Sequence, residues 1–153
     1  MVYHSLMKLV VQRVKKARVL KVDGGSVVGE IGKGLFILAG IKKGDTEKDV
    51  NSLAAKLSKL RIMPDTENKM NLTVADVGGS MLVVSQFTLH AVTSGGNRPS
   101  FINAEEPRRA RQLYELLLDK LRGYGLTVET GSFGDHMKIE VVLDGPVTII
   151  YAE

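Results

Sequence analysis

The stretch Val83-Val84-Ser85-Gln86-Phe87-Thr88-Leu89-His90-Ala91 opens as an apolar strand and then sets serine, glutamine and threonine around one phenylalanine. Side chains alternate across a strand, so Ser85, Phe87 and Leu89 would share one face and Gln86, Thr88 and His90 the other. Taken alone, this is an amphipathic strand whose hydroxyls and amide face water. What lies on either side decides the kind of sheet it joins.

Upstream, residues 7–14 and 17–22 are rich in valine and leucine, and Asp23-Gly24-Gly25 supplies a tight turn before SVVGEI returns, as in a hairpin or meander. GLFILAGI, 34–41, is a continuous apolar run and reads as a central strand covered on both faces. Thr46 with Asp49 resembles a capping box, and Val50, Leu53, Ala54, Leu57 and Leu60 recur at helical spacing before Pro64, giving a helix over 46–61. A second helix starts at Glu105-Glu106-Pro107, turns Leu113, Leu116, Leu117 and Leu121 inward, and stops at Gly123. Short strands fill 70–75, 80–89, 125–130, 137–143 and 146–151. With no βαβα repetition in this order, the expectation is a single α+β domain with a mostly antiparallel or mixed sheet and two main helices on one side.

At 153 residues the chain suits one domain with one core, and 44% hydrophobic against 25% charged residues excludes a disordered chain. Its longest apolar runs fall well short of the roughly 20 residues of a membrane span. Cysteine is absent, so there is no disulfide framework or thiolate nucleophile, and three scattered histidines do not make a metal site. No cofactor is expected. Residues 1–6 read as an extension ahead of a domain covering 7–153, with no signal peptide pattern, and the expected compartment is the cytoplasm. The net charge of +4 favours polyanionic partners without demanding one. Lys8, Arg13, Lys15, Lys16, Arg18 and Lys21 cluster with no acid among them, either as a solvated edge or as a phosphate-contacting surface.

A second short stretch, Leu143-Asp144-Gly145-Pro146-Val147-Thr148, is ordinary turn punctuation by itself. Together with SQFTL at 85–89, NRPSF at 97–101 and QRV at 12–14, it resembles the D-aminoacyl-tRNA deacylase family, in this order and from about Met7 to Tyr151. The family pattern at the turn is Asn-x-Gly-Pro-Val-Thr, and here Leu143 stands in place of the asparagine.

The resemblance implies a barrel-like core, and a homodimer in which Ser85, Gln86, Phe87 and Thr88 of one subunit form the catalytic strand and meet Gly145 and Pro146 of the other. It implies a cis Gly-Pro bond whose carbonyls hold the substrate's α-ammonium, so that an L side chain collides with the turn while a D side chain projects outward. Glycine, lacking a side chain, would pass this filter. The implied partner is the 3′ end of aminoacyl-tRNA, with neither membrane nor DNA. Phe133 and Met137 would line the pocket for the terminal adenosine, their other reading being core packing. Arg13 would brace the turn, and Arg98 would brace it or touch RNA.

For the chemistry, Thr88 lacks an adjacent base among its neighbours, and on a strand His90 would stand about 7 Å away. The reading is therefore ester hydrolysis in which backbone amides near Phe87 and Thr88 stabilise the oxyanion, Gln86 and Thr88 position ester and water, and the ribose 2′-hydroxyl assists. Ser85 orients Gln86 or satisfies local backbone. The alternatives are a non-catalytic tRNA-binding module, which would bind charged and uncharged ends alike, and a related deacylase for another mischarged tRNA.

Overall fold

A computed structural model describes residues 7–152, so the proposed extension 1–6 lies outside the described residues. The first strand, β1 (Lys8–Lys21), turns at Asp23-Gly24-Gly25 into β2 (Val27–Ile31), with Gly24 and Gly25 at φ 84° and 66°, where only glycine is unstrained. The apolar strand β3 (Gly34–Gly40) pairs antiparallel with β1 on one side and parallel with β6 (Ser80–Ser85) on the other. Between them come α1 (Glu47–Ser58) and a small hairpin of β4 (Met63–Pro64) and β5 (Met70–Leu72). Beyond β6, α2 (Pro107–Gly123) leads to β7 (Thr127–Thr130), which pairs parallel with β6, and β8 (Met137–Tyr151) closes the chain antiparallel to β1.

The sheet is mixed, as expected, but its parallel half was not foreseen. β3-α1-β6 and β6-α2-β7 are two successive crossovers, hidden in the sequence by the β4–β5 hairpin and by a β7 of only four residues. β2 then approaches β7 so closely that a Cβ on Gly29 would run into the Thr130 carbonyl oxygen, and the sheet is nearly closed into a barrel.

Both faces of this sheet are buried. Leu9, Val11, Leu35, Ile37, Met81 and Val83 face the helices, against Leu53, Leu57, Leu113 and Leu117. Val14, Ala17, Val19, Phe36, Leu82 and Val84 fill the interior of the barrel. β1 serves both cores because it changes face. Val14 pairs with Leu143 and Lys16 with Val142, so Lys15 is an extra residue, and this one-residue bulge puts Ala17 and Val19 on the side opposite Leu9 and Val11.

Both helix starts follow from local chemistry. Thr46 N donates to the Asp49 carboxylate at 2.8 Å, and the Glu106 carboxylate accepts from Arg108 N and Arg109 N at 3.2 and 2.6 Å. Two strand expectations need correction. The strand expected over 80–89 stops at Ser85, and the two strands expected over 137–143 and 146–151 are one strand carrying a bulge.

Candidate active site

β6 is buried on both faces through Val84 and delivers Ser85 to its open end. The alternation read across 83–90 fails from there, because β6 runs out of neighbours: β7 pairs no further than Thr130 with Val83, and β3 ends at Gly40. Gln86 N makes one last rung to Ala39 O at 2.8 Å, and the chain then coils into a short 3-10 turn, Phe87–His90. Thr88 and the 55%-exposed Phe87 therefore project from a turn, and the Gln86 side-chain amide donates to the Thr88 hydroxyl.

His90 is rotated inward. Its Nε2 sits 2.7 Å from Gly40 O, and burial, with help from the charges of Lys8 and Lys42, holds its proton affinity below that of an ordinary histidine. That nitrogen is engaged with the backbone of β3. Phe87 instead meets Phe101 edge to face, centroids 5.1 Å apart, which joins the SQFTL and NRPSF segments in space. Arg98 is exposed in the loop closed by the Val92–Ser100 bridge.

The Gly-Pro segment is a bulge on β8. Val14 pairs with Leu143 and Gln12 with Thr148, so Asp144, Gly145, Pro146 and Val147 together stand opposite Arg13 alone. The Gly145-Pro146 bond is cis, and Gly145 has φ 126°, where a Cβ would lie 3.0 Å from Val147 N. Arg13, its side chain only 11% exposed, donates to Asp144 O at 3.3 Å and to Ile62 O at 2.7 Å, and pairs with the Asp144 carboxylate at 3.4 Å. Its guanidinium thus ties the bulge to the segment that follows α1.

Strand register separates this bulge from Ser85 of the same chain. Leu35 pairs with Arg13 and Met81, whereas Ala39 pairs with Leu9 and Ser85. Four residues of strand, about 13 Å, lie between the two levels, with β1 and β3 intervening as well.

The Gly131–Met137 segment does stand beside the end of β6, since Thr130 pairs with Val83 and a Cβ on Gly131 would lie 3.3 Å from a Val84 methyl. Met137 is half-buried, and its sulfur accepts from Ser132 N at 3.2 Å. The half-buried Phe133 packs on Tyr114 of α2, centroids 5.8 Å apart, with the Arg111 guanidinium 5.8 Å above its ring.

Two contributors have no role in the sequence reading, although the first closes the NRPSF motif. One is Phe101. The other is Tyr114, whose hydroxyl donates to Val83 O at 2.7 Å and whose burial pushes its pKa up to about 12, so one side chain supports both β6 and Phe133. A tyrosine on the leucine stripe of α2 was the available signal, because a buried phenol needs a partner.

Among solved structures, one described as "c-Myc DNA Unwinding Element Binding Protein" has a TM-score of 0.87 at 36% identity, covering 95% of this chain and 98% of that one. A second, "Structural Analysis of a probable eukaryotic D-amino acid tRNA deacylase", shares the fold at TM-score 0.84 and 14% identity, again covering 95% and 98%. Curated relatives named D-aminoacyl-tRNA deacylase include that of Akkermansia muciniphila, 54% identical over 147 residues (94% of this chain, 95% of the relative). That of Persephonella marina is 53% identical over 144 residues (94% and 96%). The chain is thus a hydrolase of the deacylase class. The family model described as D-Tyr-tRNA(Tyr) deacylase matches residues 10–152, and the chain belongs to that family.

Proposed function

We propose that the protein hydrolyses the ester of D-aminoacyl-tRNA, and of glycyl-tRNA, at a site formed by Ser85–Thr88 of one copy and the Gly145-Pro146 turn of a second. The observation that carries the two-copy arrangement is the register: the turn stands about 13 Å down the sheet from Ser85 of its own chain, yet is held ready by Arg13 and exposed. A turn so braced and so remote from its own catalytic residues serves another molecule's site. Homodimer formation follows from this reading.

In the reaction, water adds to the ester carbonyl, the bond to the terminal ribose oxygen breaks, and a proton passes to that oxygen. Gln86 and Thr88, linked by their hydrogen bond, position ester and water. The amides of Phe87 and Thr88 precede the first internal bond of the 3-10 turn and are aimed at the developing oxyanion. The adjacent 2′-hydroxyl assists. The partner's Gly-Pro carbonyls hold the α-ammonium, which leaves an L side chain no space but the turn itself. A rigid backbone is well suited to such exclusion, since it cannot rotate aside. Phe133 and Met137 receive the terminal adenosine, Arg98 meets RNA, and the cytoplasm is the proposed compartment.

The deciding experiment is single-turnover deacylation of matched D- and L-tyrosyl-tRNA, with a Gly145→Ala/Pro146→Ala variant in parallel. The expected result is rapid loss of the D ester alone, and loss of that activity in the variant. Binding of tRNA with cleavage of neither ester would replace this reading with that of a binding module.

A further inference from the structure

The Arg111 side chain is 61% exposed and lies on the face of α2 beside the proposed adenosine pocket. Its Nε donates to Glu115 at 3.1 Å, while its Cζ stands 5.8 Å from the centroid of the Phe133 ring. Neither terminal nitrogen of this guanidinium has a hydrogen-bond partner among the described residues. One edge of the fork is therefore anchored, an aromatic ring lies against it, and its two terminal nitrogens keep their four N–H donors on a largely exposed side chain. Arginine in this state is preorganised for an oxyanion with two acceptor oxygens.

A base resting against Phe133 would bring one such group near, for a nucleotide's 5′-phosphate is a sugar's length from its base. Arg108, one turn earlier on α2 and exposed, extends the positive charge in the direction the strand must leave. Resting on the deacylase reading above, we propose that Arg111 binds the phosphate linking the last two nucleotides of the tRNA acceptor strand. Arg111 is then the residue by which this site distinguishes a polynucleotide end from a free aminoacyl-nucleoside.

The test compares three D-tyrosyl esters: of adenosine, which has no phosphate, of the dinucleotide cytidylyl-adenosine, which has one, and of whole tRNA. Wild-type protein should favour the dinucleotide over the nucleoside. Arg111→Ala should raise KM for dinucleotide and tRNA roughly tenfold, with kcat little changed and the nucleoside ester unaffected. The slope of log affinity against log salt for tRNA should become shallower by about 0.7. Arg111→Lys, keeping the charge, should recover most of that slope. Equal losses on all three esters in Arg111→Ala would show that the arginine only props Phe133, and would overturn the phosphate contact. So would an unchanged KM. Failure of the wild type on every ester would instead remove the deacylase reading, and this proposal with it.

Discussion

His90 illustrates how much one side chain's direction can settle. Its Nε2 faces the Gly40 carbonyl and burial lowers its proton affinity, so acid must protonate a group that the fold prefers uncharged. Because the folded value lies below the unfolded one, stability is intact above about pH 6.5 and is lost as pH falls from there through the folded value. Urea midpoints should therefore drop between about pH 7.5 and pH 5 in the wild type, and drop less in His90→Gln. An equal drop in both would assign the acid sensitivity elsewhere. Tyr114→Phe isolates a second residue. Deleting the hydroxyl that meets Val83 O should cost about 1 kcal/mol in urea unfolding, while the retained ring keeps Phe133 in place.

At the scale of elements, the bulge on β8 and the end of β6 are the two places where regular structure gives way at the proposed site. Arg13→Gln removes the tie from the bulge to Asp144 and Ile62. Deacylation should fall at least tenfold, with about 1–2 kcal/mol lost from stability. A variant as unstable but fully active would show the tie to be structural only. These two places also mark where sequence was least informative. Both helices could be read from Thr46, Asp49 and Pro107, since caps are local chemistry. The end of β6 could not, because what stops it is the end of its neighbours, at Gly40 and Thr130. Gly145-Pro146 suggested a break between strands, whereas β1 runs past unbroken and keeps both arms of β8 in register. The motif residues themselves were readable through their combination. Phe87 meets Phe101, and Gly145 rests on Arg13, so four separated segments report two contacts.

For the whole molecule, β8 pairs among the described residues with β1 only, and near the bulge it leaves Val142 and Leu143 41% and 44% exposed, with Ile150 at 65%. This is apolar surface beside the very turn assigned to a second copy. Light scattering should give the mass of a dimer. A sharper test mixes two inactive chains, Thr88→Ala and Gly145→Ala/Pro146→Ala, under conditions that exchange subunits. Half of the dimers formed at random are mixed, and each mixed dimer holds one site with both intact parts, so about a quarter of full activity should return. No recovery would mean that each site is built within one chain. Parallel pairing of β3, β6 and β7 was invisible at this scale in the sequence, because it depends on which strands meet after α1 and α2 have crossed over.

The bulge at Lys15 bears on how such a chain can drift in length. Turns such as Asp23–Ser26 border solvent, and a codon gained there moves nothing behind it. A codon lost at Lys15 is equally mild, since it only closes the bulge and leaves Val14, Ala17 and Val19 in the barrel, whereas one lost at Arg18, inside the regular pairing, would turn Val19 out of it. Descendants of this sequence are free to vary residue 15 or to lose it, while the regular pairing on either side must keep its count.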